Sequence, residues 1–298
     1  MRRKVLLLAA CGLALAVSAA QPATRPARFL LAIAGGGTSS LLVSADGVRF
    51  SAALSSWPGS MPSPVRRGET VYVYDSPAIS RTGLTGTVRR FAVGASGGLT
   101  AKGAATYTVQ VASTEDALRA TAGSFMPSVA VDDSGALVLF YALRYEPATN
   151  ACPMAGQACV KLRTATEVSG SDGAAFTGDP GNRIVISFDP ADSVGPPALL
   201  RAENGWAALL RGPAGCLHLL TGRDVRRHFD GKCIAGRSPE SPAAVWSVTL
   251  HVYRVYGVEG RRVVRTLSRR LGTVVPARFR PLDVAGRPSF ERVAANAP

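Results

Sequence analysis

Few residues in this sequence stand where chemistry would need them. Asp75 directly follows the strand-like run Val71-Tyr72-Val73-Tyr74, and Glu240 stands two residues before Pro242. Two carboxylates that face each other can serve as acid and base on a glycosidic bond. Each of these two also reads as an ordinary loop carboxylate. Arg144, Arg211 and Arg254 each follow the end of a strand-like run. Brought side by side, their guanidiniums could hold one anion through bidentate contacts. In a chain with 34 basic residues, the same spacing also arises by chance. The histidines, His218, His228 and His251, form no Ser-His-Asp pattern, and no Gly-rich loop leads from a strand into a helix. The cysteine spacings do not match a zinc site. Neither a metal nor a cofactor is expected.

The ends and the cysteines speak to the compartment. Arg2, Arg3 and Lys4 precede an apolar run from Val5 to Val17, and Ser18-Ala19-Ala20 offers a cleavage site, so residues 1–20 read as a signal peptide. Leu8-Ala9-Ala10-Cys11 also has the form of a lipobox, which would make Cys11 a lipidated terminus; the apolar run continuing to Val17 favours cleavage near Ala20. The rest, 21–298, reads as one exported domain with no membrane-spanning helix, placed in the periplasm, at the cell surface or outside the cell. Cys152, Cys159, Cys216 and Cys233 remain, an even number that suggests two disulfides. Proximity favours Cys152–Cys159 and Cys216–Cys233 among three possible connectivities.

The net charge is +14, and nearly all of the basic residues are arginine. That balance reflects base composition or suits an anionic partner. Ten arginines lie between His251 and Pro298 against Glu259, Asp283 and Glu291. The partial alternation of Arg261-Arg262-Val263-Val264-Arg265 suggests a strand with one wet face. Interleaved aromatics for stacking bases are missing, so nucleic acid is not the expected partner.

The elements that must position these residues are strands. Helical periodicity is nearly absent; Thr114 to Ala122 is the one stretch expected to make a helical turn or two. A proline-led phrase recurs at Met61-Pro62, Met126-Pro127, Gly195-Pro196, Ser241-Pro242 and Arg287-Pro288. After three copies come a glycine turn and an apolar run, Val71 to Tyr74, Leu137 to Tyr141 and Trp206 to Leu210; after Pro242 the turn is less clear, and Val248 to Tyr253 supplies the strand. Proline is tolerated where a strand begins, and Asn-Gly or Ser-Gly supplies the turn. The prolines are spaced by 65, 69, 46 and 46 residues, near the length of a four-stranded blade with its loops. The last copy has no partner strands after it, whereas Phe29 to Ala34, Leu41 to Ser44 and Phe50 to Leu54 have no proline-led strand before them. The expected fold is therefore all-β, a five-bladed β-propeller closed by a C-terminal strand.

Between the hairpins lie Ser44-Ala45-Asp46-Gly47-Val48-Arg49-Phe50 and Gly170-Ser171-Asp172-Gly173-Ala174-Ala175-Phe176. Ser96-Gly97-Gly98-Leu99 and Asp230-Gly231 look like decayed copies. The Ser-x-Asp-Gly-x-x-Phe pattern resembles the Asp-box of sialidase-type propellers. The proline-led organisation resembles the five-bladed propellers of arabinanase-like and fructosidase-like glycoside hydrolases. A six-bladed sialidase-like ring is the alternative, with Leu84 to Phe125 as room for further strands. The Asp-box resemblance implies a structural role for Asp46, Phe50, Asp172 and Phe176.

The hydrolase resemblance implies a sugar site in the central funnel and an acidic residue just before the inner-strand prolines. Here those positions hold Met61, Met126, Gly195, Ser241 and Arg287, and only Glu240 is acidic one residue further back. The expected function is therefore a monomeric exported propeller that binds a glycan or an anionic envelope component in its funnel without catalysis. Glycoside hydrolysis by Glu240 and Asp75 is the alternative.

Overall fold

The computed structural model describes residues 29–296 except 52–54, 60, 77, 81–82, 95–97, 112–119, 121–126, 249, 283 and 285–291. The leader with Cys11, Ser96-Gly97, Met126, Arg287 and Pro288 lie outside the described residues, as does all of Thr114 to Ala122 except Ala120. Among the described residues there is no α-helix, and so no helix long and apolar enough to cross a membrane.

The strands fall into five consecutive groups. The first holds β1 (Phe29–Gly35), β2 (Thr38–Ser44) and β3 (Ser55–Pro58). The second holds β4 (Ser63–Arg67), β5 (Thr70–Tyr74), the short β6 (Ala78–Ser80), β7 (Gly83–Val93) and β8 (Leu99–Gln110). The third holds β9 (Ser128–Val131), β10 (Leu137–Tyr145), β11 (Ala158–Glu167), β12 (Ala175–Gly178) and β13 (Ile184–Phe188). The fourth holds β14 (Ala198–Ala202), β15 (Gly205–Arg211), β16 (Leu217–Gly222) and β17 (Asp230–Ala235). The fifth holds β18 (Glu240–Ser247), β19 (Val252–Glu259), β20 (Arg262–Ser268) and β21 (Arg280–Pro281). A last strand, β22 (Arg292–Asn296), runs antiparallel to β1, with Ala295 opposite Leu31. The interval after Leu84 is taken up largely by the long β7–β8 hairpin, which also reaches β12 of the next group in parallel.

Strands β22, β4, β9, β14 and β18 neighbour one another in circular order. Their beginnings define an entry face and their ends an exit face. Apolar side chains fill the spaces between successive groups. Tyr74, Tyr107 and Leu137 lie between the second and third, Phe140 and Trp206 between the third and fourth, and Leu209 and Val255 between the fourth and fifth. Tyr256 joins the fifth to Phe29 of the first, and Trp57 joins the first to Val73 of the second.

The proline-led phrase explains itself locally. Pro62, Pro127 and Pro197 each precede the first residue of a strand, where no ladder bond is lost. Pro242 lies inside β18, at a register shift between Glu240 and Ala243 that spares the missing donor. The serine after the proline has its own task. Ser63 Oγ accepts the Val129 amide at 3.0 Å, and Ser128 Oγ accepts the Leu199 amide at 2.8 Å. Each serine thereby satisfies a buried amide on the first strand of the next group.

Two sequence expectations are corrected. The run from Val248 to Tyr253 is not one strand: Val248, Leu250 and His251 lie at the tip of the β18–β19 hairpin, where Val248 is 72% exposed and His251 has φ +51°, and only Val252 and Tyr253 are in a strand, opening β19. β-branched composition suggested a strand, but the apolar side chains there face water. Asp230-Gly231 makes no Asp-Gly turn, because it begins β17 opposite Thr221 and Leu220.

Candidate functional site

At the entry face, Pro62, Pro127, Pro196 and Pro242 surround a space of about 30 Å3, with Met61 and Ser63 beside them. By this measure a water needs at least ~10–15 Å3, so the space has room for a water or two. None of the residues lining it is a carboxylate.

Neither candidate carboxylate lines this mouth, and Asp75 does not line the hollow that Glu240 edges. Asp75 follows β5 and is buried. It accepts the Trp57 indole N–H at 3.1 Å and pairs with Arg89, whose guanidinium lies 4.8 Å from the Trp57 ring centre. The Tyr107 hydroxyl donates to the Asp75 carbonyl at 2.8 Å. Burial raises the Asp75 pKa above the ordinary carboxylate value, against the opposing pull of Trp57 and Arg89. Glu240, in contrast, is exposed and meets Arg211 Nη1 at 3.4 Å. The two edge a smaller hollow of about 270 Å3 between the fourth and fifth groups.

The three candidate arginines do not converge. Arg144, near the end of β10, pairs with Glu146 at 2.7 Å and lies over Phe188. Arg211 ends β15 and takes Glu240. Arg254 is the third residue of β19, so strand direction puts it at the opposite, exit face. It is 5% exposed and lies over Phe29, and burial lowers its pKa.

The two Asp-Gly turns lie at the exit face and hold their aspartates differently. Asp46 Oδ1 accepts the amides of Val48 at 2.8 Å and Arg49 at 2.9 Å, together with the Ser44 hydroxyl at 3.0 Å. Against the cost of burial, those amides and that hydroxyl, with Arg254 nearby, hold the carboxyl below its usual range. Phe50 packs edge-on against Tyr256. Asp172 instead reaches across to the second group, meeting Arg67 at 3.3 Å and Arg90 at 3.2 Å and accepting the Tyr72 hydroxyl. Phe176 is buried against Tyr74 and Tyr107. Both aspartates therefore tie structure together.

The four cysteines pair as Cys152–Cys159 and Cys216–Cys233. Among the described residues, no group of three or more His, Cys, Asp or Glu is placed to hold a metal.

A larger concavity lies at the exit face between the fourth and fifth groups. This cleft of about 680 Å3 is lined by the 203–204, 223–230 and 269–272 turns. Trp206, Leu219, Tyr253 and Leu271 form its apolar floor. Tyr253 packs against Trp246 with ring centres 4.7 Å apart and the rings tilted by 59°. Burial raises the Tyr253 phenol above its ordinary pKa, against a hydrogen bond from the Glu203 backbone. Around the floor stand Glu203, Asp224 and Asp230 with Arg223, Arg227, Arg269 and Arg270. His228 approaches Asp230 at 3.8 Å, and Arg227 approaches Asp224 at 4.0 Å. An apolar floor with a polar rim in this size range is the usual form of a small-ligand site (~300–1,000 Å3). Sequence reading missed it because its residues come from three turns far apart in the chain. The available signal was strand direction: each of those turns is at the exit end of its hairpin.

No protein-family profile matches the sequence, and no curated protein matches it. Solved structures resemble it in fold. A GH43 glycoside hydrolase, engineered to display both endo-xylanase and exo-arabinofuranosidase activity, aligns with a TM-score of 0.55 at 10% identity, over 88% of this chain and 54% of that one. The endo-arabinase of Bacteroides thetaiotaomicron aligns at 8% identity and TM-score 0.48, over 83% of this chain and 94% of its own. A family 117 glycoside hydrolase of the marine bacterium Zobellia galactanivorans aligns at 11% identity and TM-score 0.45, over 91% and 70%. The chain thus spans about half the length of the first of these. At such identities the likeness to the GH43 enzyme is one of fold: an all-β, five-bladed propeller.

Proposed function

We propose that this chain recognises carbohydrate on a propeller of the glycoside-hydrolase type, closed by the pairing of β22 with β1. The observation that carries this reading is the fold likeness to a GH43 enzyme over 88% of the chain. The 680 Å3 cleft supplies a place for a sugar, with charged groups at its rim to bond hydroxyls. The two disulfides support export, as the leader-like start of the sequence suggests.

Hydrolysis is the second reading, and the same fold likeness favours it over a propeller that only docks an envelope protein. It needs two carboxylates ~5–10 Å apart across a bound sugar. The proline-lined mouth offers none, Asp75 is committed to Trp57 and Arg89, and Glu240 is paired with Arg211.

Calorimetric titration with arabinan and xylan oligosaccharides, run beside assays for released reducing sugar, separates the readings. Binding without turnover is the expected result. Turnover abolished by Glu240→Gln would establish hydrolysis instead. Neither binding nor turnover across a broad glycan array would overturn the carbohydrate reading altogether.

A further inference from the structure

We infer that the exit-face cleft recognises an acidic saccharide, a sugar carrying a carboxylate. The inference rests on the carbohydrate reading and names the class of ligand. The rim carries four arginines, Arg223, Arg227, Arg269 and Arg270, against three carboxylates, Glu203, Asp224 and Asp230. Arg223, Arg269 and Arg270 have no ion-pair partner among the described residues, and Arg227 has only the loose contact with Asp224. Planar guanidiniums without partners suit a carboxylate, which they can hold with two parallel N–H···O bonds.

The acidic residues of the rim narrow the choice. They leave an excess of one positive charge before His228 is considered, which complements a monoanion. A phosphate or sulfate cluster would place further negative charge against Glu203, Asp224 and Asp230. The same carboxylates accept hydrogen bonds from sugar hydroxyls, which a lipid or an apolar peptide lacks. The cleft lies at the opposite end of the strands from the proline-lined mouth, so it is separate from the funnel site that the fold suggests.

The test compares a monoanionic sugar with its neutral ester: methyl galacturonoside, which carries one carboxylate, and the methyl ester of the same sugar. The expected result is at least tenfold tighter binding of the acid form at low salt. That preference should shrink in 0.5 M NaCl, where the screening length falls to a few ångströms (~3–5 Å). Arg269→Ala/Arg270→Ala should erase the preference while the melting temperature stays unchanged, because both residues are exposed. Equal binding of both forms overturns the acidic assignment and leaves the carbohydrate reading standing. A preference that survives the double substitution and also Arg223→Ala overturns the location. Binding of neither form, with no other glycan bound on an array, overturns the inference together with the reading beneath it.

Discussion

Replacing Asp75 tests whether its carboxylate is structural. The side chain is 10% exposed and that of Arg89 is 19% exposed, so neither is well solvated. Asp75→Ala would leave Arg89 without its partner and the Trp57 N–H without its acceptor. Removing one member of a buried pair costs ~3–5 kcal/mol, and an orphaned buried donor costs ~1–3 kcal/mol. Arg89 retains some contact with water and would recover part of this, so we expect a loss of about 3 kcal/mol at pH 7. At roughly 2–4 °C per kcal/mol for a domain of this size class, the melting temperature should fall by ~6–12 °C.

Burial raises the folded-state pKa of Asp75, so its contribution is complete below the unfolded value of 3.8 and declines as pH rises through the raised folded value. The penalty of the substitution should therefore be larger at pH 4 than at pH 7. Urea unfolding at both pH values, with a double-mutant cycle to Arg89→Met, measures these quantities. A loss below ~1 kcal/mol with no coupling to Arg89 would refute the structural assignment. Unchanged stability with lost sugar binding would put Asp75 on the ligand.

Other expectations follow from the turns and the cysteines. Asp46 has a lowered pKa, so its contribution is present above 3.8 and lost as pH falls through the folded value; Asp46→Asn should cost stability at pH 6 and little at pH 2, read from unfolding curves. Gly47 has φ +67°, and an added Cβ would stand 2.8 Å from Arg254 Cδ and 2.9 Å from the Tyr256 oxygen; Gly47→Ala should destabilise by ~1–3 kcal/mol in the same assay. The Cys216–Cys233 bridge closes 17 residues, so Cys216→Ala/Cys233→Ala should cost about 3 kcal/mol, and loss of the seven-residue Cys152–Cys159 bridge should cost less. Glu240→Gln should change stability by under ~0.5 kcal/mol, because the Arg211 pair is exposed; a larger loss would mean the pair braces the fourth group against the fifth.

Much of the scaffold was legible because it is written in local chemistry. Proline near the start of a strand and Asp-Gly at a turn act over a few residues, and the prolines marked β4, β9, β14 and β18. Turn geometry was less legible at the β18–β19 hairpin, where Val248 and Leu250 carry strand-forming side chains at an exposed tip. The register shift that admits Pro242 was likewise invisible, since it depends on how β18 lies against β19. Arg254 illustrates the cost of one such error: a misplaced turn put it at the wrong end of its strand.

The sequence by itself determined the strand-rich architecture, the repeat and the absence of acids directly before the prolines, and it favoured the cysteine pairing, because composition and spacing act locally. Tertiary structure decided what those residues do. It narrowed the proline-lined mouth to about 30 Å3, committed Asp75 to Trp57 and Arg89, and turned Asp172 outward to Arg67 and Arg90. It also gathered the 203–204, 223–230 and 269–272 turns around one cleft. Such contacts join residues dozens of positions apart, and only the packing of one blade against the next brings them together.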